Sequence, residues 1–498
     1  MSQNYQGPPQ QGNYPQGPQP PQGVLLPPGG VPAPAKRKSK KTAIIAGVLA
    51  LALLAGGGFL VWSLLRGAAP AAAKGIPSNA LAVFEVNLNP SAGDKLAVKE
   101  LAAKFPFLKD EANDAGDDYK KALWSVLAKS AKSAPDYESE VKPWLGDSAA
   151  IAALPGKDSG SSSGSSSYVF SVQVTNKDSA KAFADKHIKG KKIFVDDLMV
   201  ITNDEKSDIS ESSLKDNITS VESYKADMGK LGDGFLATAW ISSDFIKQFG
   251  SQEINTAGIL ESRFAAGLKV QDGAIALRTI TWQKDEIKDR GENVKDLAGS
   301  MPADWLGSLA FSPSPDLVNK AWESLESLPA SSQRQLEDFG ISSADDLRAL
   351  LGTQFSFAVT GDSKQLQVGI KVHTKDPEKH KNIVEKITRS GTLQDAKTTV
   401  EGDTVITTFN ADSNDSFSNP SDRLSGNSEH EKLTKGIDNP QSSAWVNVPQ
   451  VLDVMEKSSR NGLPTQLKEN LGPISGIGMV AGQIDDHYFD SWVRVGTK

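Results

Sequence analysis

The chain repeats itself. The segment Ile76–Pro90 (IPSNALAVFEVNLNP) resembles Met301–Pro315 (MPADWLGSLAFSPSP), and Val172–Asp178 (VQVTNKD) resembles Ile370–Asp376 (IKVHTKD). Val200–Thr202 recurs at Val405–Thr407, Ala239-Trp240-Ile241 at Ala444-Trp445-Val446, and Leu145-Gly146 at Leu351-Gly352. The offsets are 225, 198, 205, 205 and 206 residues. Chance supplies any one such match, but not five in the same order at nearly one offset. Residues 76–286 and 300–498 therefore read as two copies of one unit, with a connector at 287–299.

Each copy supports the same coarse reading. A strand (Ala80–Leu88; Leu306–Phe311) leads into an amphipathic helical stretch, which in the first copy contains Leu101, Phe105 and Leu108. Two strands follow the Leu-Gly pair, and a helix opens at the Lys-Asp pair. Two short strands come next, Lys192–Val195 and Leu198–Thr202 in one copy, Lys397–Glu401 and Thr404–Phe409 in the other. The Ala-Trp strand and a closing hairpin end the unit, with Gln271-Asp272-Gly273 as the turn in copy one. Short strands in hairpins outnumber helices, which predicts an α+β fold with antiparallel sheets. The first strands of the two copies are candidates to pair with each other, and one continuous sheet or two both satisfy the pattern. The Ser-Gly run Asp158–Ser167 is a long hairpin loop, since the second copy has only Gly361–Lys364 there. Lys284–Ser300 reads as a charged, helical boundary between copies.

Ahead of the duplication, Ala43–Leu65 is a run of 23 residues without a charge. As a helix it would be about 34 Å long, enough to cross a bilayer core. Lys36–Lys41 precede it and only Arg66 follows, so the positive-inside rule keeps the N-terminus in the cytoplasm. The run is longer than a signal-peptide core and begins far from the N-terminus, which argues against cleavage. The expected organisation is a Pro/Gln/Gly-rich disordered cytoplasmic tail at 1–41, a transmembrane helix at 42–66 and a tether at 67–75. The implied location is the cell membrane, single-pass, with both repeats extracytoplasmic.

Charge is segregated along the chain. Residues 1–66 hold six basic side chains and no acidic one, leaving 48 basic against 61 acidic in the remainder. Such a surface repels phosphate backbones, so nucleic acid is excluded as a partner. The chain has no cysteine, which removes disulfides, thiolate metal sites and thiol nucleophiles.

No candidate constellation reads as a catalytic, cofactor or metal site. Gly160-Ser-Ser162-Ser-Gly164 has the spacing of a nucleophile elbow but lies in a Ser-Gly run that holds no strained turn. Of the five histidines (His187, His373, His380, His430, His487), His373 and His380 stand seven apart without a third ligand and read as solvated surface residues. Asp485-Asp486-His487 with Asp490 reads as the tip of the last hairpin. Asp412–Asp422 resembles a calcium loop, yet positions six and twelve are Phe417 and Arg423. Trp240 and Trp445 occupy the same place in each copy, as core rings do.

The Asn87–Pro90 ending of the first strand, the later Lys104-Phe105-Pro106, and Pro143-Trp144-Leu145-Gly146-Asp147 together resemble a family catalogued as domain of unknown function 3352. The second copy departs from it, with Ala349-Leu350-Leu351-Gly352 in place of the Pro-Trp version. The resemblance covers most of 76–498 and implies an actinobacterial source and an envelope location, but no activity and no site residues. The leading expectation is a non-enzymatic binding protein whose ligand is an envelope protein, a wall polymer or an apolar molecule. The Pro-rich tail offers a site for a cytoplasmic partner. The rival expectations are a carboxylate-based enzyme acting on envelope glycans, marked by two convergent carboxyl groups, and a transmembrane signal carrier.

Overall fold

The computed structural model describes residues 71–106, 108–109, 116–129, 134–155, 167–203, 207–249, 261–362, 365–390, 396–410, 414–459 and 462–498. The first half contributes eight strands: β1 (Ala82–Asn87), β2 (Leu145–Leu154), β3 (Ser167–Val174), β4 (Lys191–Val195), β5 (Leu198–Thr202), β6 (Ala237–Ile241), β7 (Arg263–Gln271) and β8 (Ala274–Trp282). The second half contributes β9 (Gly307–Phe311), β10 (Gln354–Gly361), β11 (Leu366–His373), β12 (Ala396–Glu401), β13 (Thr404–Phe409), β14 (Ser442–Val446), β15 (Ile474–Gln483) and β16 (Tyr488–Thr497). All sixteen form one sheet, in the order β12-β13-β11-β10-β9-β14-β15-β16-β8-β7-β6-β1-β2-β3-β5-β4. Every pairing is antiparallel. Read inward from either edge, the order is the same. The fold is thus α+β on a single antiparallel sheet.

Registers carry the correspondence to single residues. Trp240 lies opposite Val83, and Trp445 opposite Ser308. The lead-in segments match too, for Pro77 bridges to Asn217 and Pro302 to Arg423. The first strands do not pair with each other. β1 sits between β2 and β6, and β9 between β10 and β14, so both are already saturated on both sides. The halves meet instead through their last strands, β8 and β16, which pair over nine positions.

Cross-strand neighbours share a face, so registers define two faces of the sheet. The first face holds Val83, Trp240, Ala276, Ile280 and Trp492, beneath the lead-in turn Ala72–Gly75 and α4 (Glu222–Leu231). On the second half that face continues under α5 (Lys295–Gly299) and α7 (Ser428–Thr434), around Ala310, Phe417 and Trp445. The second face takes α1 (Ala92–Ala103), whose Leu101, followed by Phe105, packs on Ala237, Leu268, Ile275 and Val495. It also takes α3 (Lys177–His187), α6 (Pro377–Arg389) and α8 (Val448–Ser458). Helix starts are capped by local side chains: Ser91 Oγ accepts the Asp94 N–H at 3.2 Å, and Asp376 Oδ1 accepts the Lys379 N–H at 3.1 Å. The β7–β8 turn has positive φ at both Asp272 (54°) and Gly273 (69°), the two-residue geometry that suits the twist of a hairpin.

Two expectations need correction. Among the described residues, no helix is long and apolar enough to cross a membrane. The longest is α6, with 13 residues, about 20 Å where a bilayer core is about 30 Å thick. The tail at 1–41, the span at 42–66 and the first part of the tether lie outside the described residues. The single-pass, membrane-anchored reading and its cell-membrane location therefore have no support in the structure. Second, the stretch Lys284–Ser300 is helical only over Lys295–Gly299. The rest is an extended strap, pinned where the Ile287 N–H meets the Asp486 carbonyl at 2.9 Å and the Val294 N–H meets the Pro440 carbonyl at 2.8 Å. Ile287 and Val294 are buried, and that burial holds the strap without helical hydrogen bonds.

At the β8–β16 seam, Arg278 forms a forked pair with Asp490, Nη2 donating to Oδ2 at 2.7 Å and Nε to Oδ1 at 3.1 Å. Its Nη1 donates to the Leu231 carbonyl at 2.8 Å, at the C-terminal end of α4. Arg494 does the equivalent on the other side, donating to the Lys435 carbonyl at 2.6 Å just past α7 and lying 4.3 Å over the Trp492 ring. Each arginine brings a positive charge to the negative end of a helix dipole. Arg278→Ala leaves Asp490 buried without its cation and should cost about 3 kcal/mol. Urea denaturation of both proteins measures this, and a change below about 0.5 kcal/mol would place the seam's stability elsewhere.

Candidate functional site

The two motifs that carry the family resemblance come together. Asn87 Oδ1 accepts the Asn89 N–H at 3.0 Å, folding the chain sharply after β1. The Leu88 N–H then reaches the Asp147 carbonyl at 2.8 Å, and Asn89 Nδ2 donates to Asp147 Oδ2 at 3.1 Å. Two lysines complete the joint. Lys95 of α1 donates to Asn89 Oδ1 at 2.6 Å, and Lys120 of α2 (Tyr119–Lys129) donates to Asp147 Oδ1 at 2.8 Å and the Leu145 carbonyl at 3.2 Å. The Lys120 hydrogen bond holds the Asp147 carboxyl below the usual carboxylate range. An open cleft of about 350 Å³ lies here, bordered by Asn89, Lys95, Asp117, Tyr119 and Lys120. Lys99 pairs with Asp117 and Lys120 with Asp147, while Lys95 is taken up by the Asn89 side-chain amide. The arrangement fixes the chain reversal after β1, and its charges are spent on that.

Beneath the first face lies a denser polar group. Asp227 of α4 is 1% exposed and receives four donors. Trp240 Nε1 donates at 2.9 Å, Arg263 Nε and Nη2 at 2.8 and 3.0 Å, and the Tyr488 hydroxyl at 2.9 Å. Tyr488 belongs to β16, so the network ties the first half to the second. Glu85, on β1, is 2% exposed. The Tyr224 hydroxyl lies 3.5 Å from its Oε2, whereas its Oε1 has no partner among the described residues. Burial pushes this carboxyl up to about 8, against smaller opposing contributions from the Ala73 backbone N–H and the Tyr224 and Thr238 hydroxyls.

The second face carries a feature that the sequence reading missed. Phe170, Ile151, Phe84 and Ala239 stand side by side on β3, β2, β1 and β6. All four are partly or fully exposed, Phe170 at 42%, and Tyr168 beside them is also 42% exposed. One residue along, the neighbouring row Val169, Ala152, Val83 and Trp240 faces the other way and is buried. Ile370, Phe357, Leu309 and Ala444 form the same row on β11, β10, β9 and β14, again partly exposed. Registers traced from Phe84 through Ala239, Ala266, Thr279, Ser491, Ala481 and Ser442 to Phe311 put both rows on one face. Alternation of apolar and polar residues, the signal that finds a half-buried strand, is lost where both faces are apolar.

The other candidates from the sequence fall apart. Ser162 lies outside the described residues. His380 is not a solvated surface residue: it is 1% exposed, with Nδ1 3.3 Å from the Ala349 carbonyl, because α6 packs that side inward. Burial lowers its pKa, and that of His373 at the end of β11. Asp485 does sit at the last hairpin, where its Oδ1 accepts the N–H groups of His487 and Tyr488, but Asp490 lies within β16, on Arg278. Of the Asp412–Asp422 stretch, Phe417 is fully buried. Trp240 and Trp445 are both 3% exposed, yet Trp445 Nε1 has no partner among the described residues, His430 meeting its ring edge-on instead. Among the described residues, no three His, Asp or Glu side chains group as metal ligands would.

Residues 43–194 match the model of a family described as protein of unknown function (DUF3352), and this stretch of the chain carries that domain. The match is narrower than the resemblance over 76–498, and it gives no source organism. It spans the lead-in, the motif joint and Phe84, Ile151 and Phe170 of the first apolar row, but not Ala239. No curated protein matches the chain, and no solved structure does.

Removing the Asp227 carboxylate strands a buried guanidinium, an indole N–H and a hydroxyl at once. Asp227→Ala should lower stability by about 3–5 kcal/mol. Calorimetry reads this as a large drop in Tm, and an unchanged Tm would show the network to be dispensable.

Proposed function

We propose that the chain is a non-catalytic interaction module that holds amphipathic helices of a partner protein on the second face of its sheet. The observation that carries this reading is the pair of apolar rows. Soluble surfaces scatter their apolar residues, and a contiguous apolar patch marks a contact site. Here the same four-strand row occurs twice on one face, with Phe170 exposed and Phe84 and Phe357 only half-buried. Each row crosses three strand spacings, about 14 Å, and the centres of the two rows lie eight strands apart, about 38 Å along the sheet at ~4.8 Å per strand. The chain's own helices indicate what fits. α1, α3 and α8 cover the rest of this face with apolar stripes, such as Val448, Val451 and Val454 of α8. A partner helix laid on Phe84, Ile151 and Phe170 would extend that layer with anchors at helical spacing.

The enzymatic alternative needs carboxyl groups that reach a substrate. Glu85, the carboxyl with a raised pKa, and Asp227, one helical turn beyond its neighbour Tyr224, are both sealed under the lead-in turn and α4, with exposures of 2% and 1%. That geometry suits a structural role.

A synthetic amphipathic helix with a leucine stripe and a net-neutral polar face is a direct probe. The full chain should bind it in fluorescence anisotropy. Phe170→Asp and Phe357→Asp should each weaken binding about tenfold or more, since each replaces a buried aromatic contact by a charge. Leu96→Asp, at an exposed position on α1, should leave it unchanged. Absent binding, or binding indifferent to both row substitutions, would overturn the assignment.

A further inference from the structure

The lead-in turn Ala72–Gly75 is seated on the first face in a way that one side chain controls. Ala72, Ala73, Gly75 and Ile76 are buried, while Lys74 points to solvent. The seat is tight: a Cβ on Gly75 would fall 2.1 Å from Ser171 Oγ and 2.9 Å from Val200 Cγ2. Glu85 stands in the same cross-strand row as Ser171, through Ala150. Its carboxyl is directed at the Ala73 backbone N–H, while its Oε1 has no partner among the described residues.

We propose that Glu85 is the catch of a proton-operated latch, which keeps residues 72–76 seated while its carboxyl is neutral and releases them when it ionises. The groups around it give an ionised carboxylate no compensating cation. The lead-in turn offers the Ala73 N–H, α4 offers the Tyr224 hydroxyl, β6 offers the Thr238 hydroxyl, and β2 offers only the apolar Ala150. Arg263, the basic side chain of the neighbouring Asp227 network, is committed to Asp227 as a forked pair. Lys74 faces away. A buried carboxylate in such surroundings is strongly disfavoured, and letting the turn leave would open it to water.

The sign follows from linkage. In the seated state the carboxyl is held up near 8, against an ordinary value of 4.5. Seating therefore binds a proton across that interval. It is strongest below about pH 4.5, weakens as pH rises towards 8, and changes no further above it. The second half lacks the device, because the position matching Glu85 is Ala310, under a lead-in of the same length.

Hydrogen exchange of the full chain at pH 5.5, 7 and 8.5 tests this, with rates divided by intrinsic rates. Protection of the amides of residues 72–76 should fall at least tenfold across the series, while the strands β8 and β16 hold theirs. Glu85→Gln, which cannot ionise, should keep the turn protected at every pH. Gly75→Ala should unseat it at every pH, which separates a failed seat from a failed catch. Equal pH profiles in the parent chain and Glu85→Gln would overturn the latch. So would a loss of protection shared equally by the whole sheet.

Discussion

Everything in this fold depends on the pairing of β8 with β16. Each half is an eight-stranded sheet whose outermost inner strand would expose a full row of unpaired amides and carbonyls. Such an edge is a template for association. Pairing the two removes both edges at once and leaves only β4 and β12 at the rims. Arg278 lies directly opposite Trp492, at the centre of the nine-position pairing. From there Arg278 reaches the end of α4 and Arg494 the end of α7, so the seam's two arginines each hold a helix from the opposite end of a local two-fold. Tyr488 extends the tie by reaching Asp227. The consequence for function is geometric. One continuous sheet fixes two apolar rows on one face at a set separation, which two independently tumbling domains could not do.

Duplication preserved the backbone but not the buried charges. The first half hides Glu85 under its lead-in turn. At the matching place the second half has Ala310, and two strands along the same row it has the half-buried Lys371, where the first half has Ser171. Lys371 donates to Ser300 Oγ at 3.2 Å, and burial lowers its pKa. Each lead-in thus meets a polar side chain from the sheet below, but of opposite character. A neutral core would have been easier to build, since buried groups without full partners are costly. That two different solutions occupy the same seat indicates that the lead-in segment's contact with the sheet is where the halves diverged.

Much of the backbone architecture was legible in the sequence, because strand spacing and turn residues are local properties. The Asp272-Gly273 turn, the short hairpin around Asp196, and the helices opening at Lys177 and Pro377 stand where propensity and capping put them. The joining of the halves was not legible. β8 and β16 carry apolar residues on both faces, like several other strands, and nothing local distinguishes a partner in the other copy from one in the same copy. The strap at Lys284–Gly291 looked helical from its charges, yet Ile287 fixes it by burial and a cross-chain hydrogen bond. His380 looked solvated because its neighbours in sequence are charged, while its own position on α6 points inward. The apolar rows escaped notice for a related reason. Phe84, Ile151 and Phe170 come from three separate strands, and only register shows that they are neighbours. The membrane span expected from the uncharged run belongs to residues that the structure does not describe, and no helix among the described residues replaces it.

The most direct test of the continuous sheet is amide exchange across the seam in the intact protein. If β8 and β16 are paired along their length, the amides of Ala274–Trp282 and Tyr488–Thr497 should be among the slowest to exchange. They should be slower by orders of magnitude than those of the rim strands Lys191–Val195 and Ala396–Glu401. Exchange in β8 and β16 as fast as in those rim strands would mean that the halves fold apart and that the single sheet is not the state of the protein in solution.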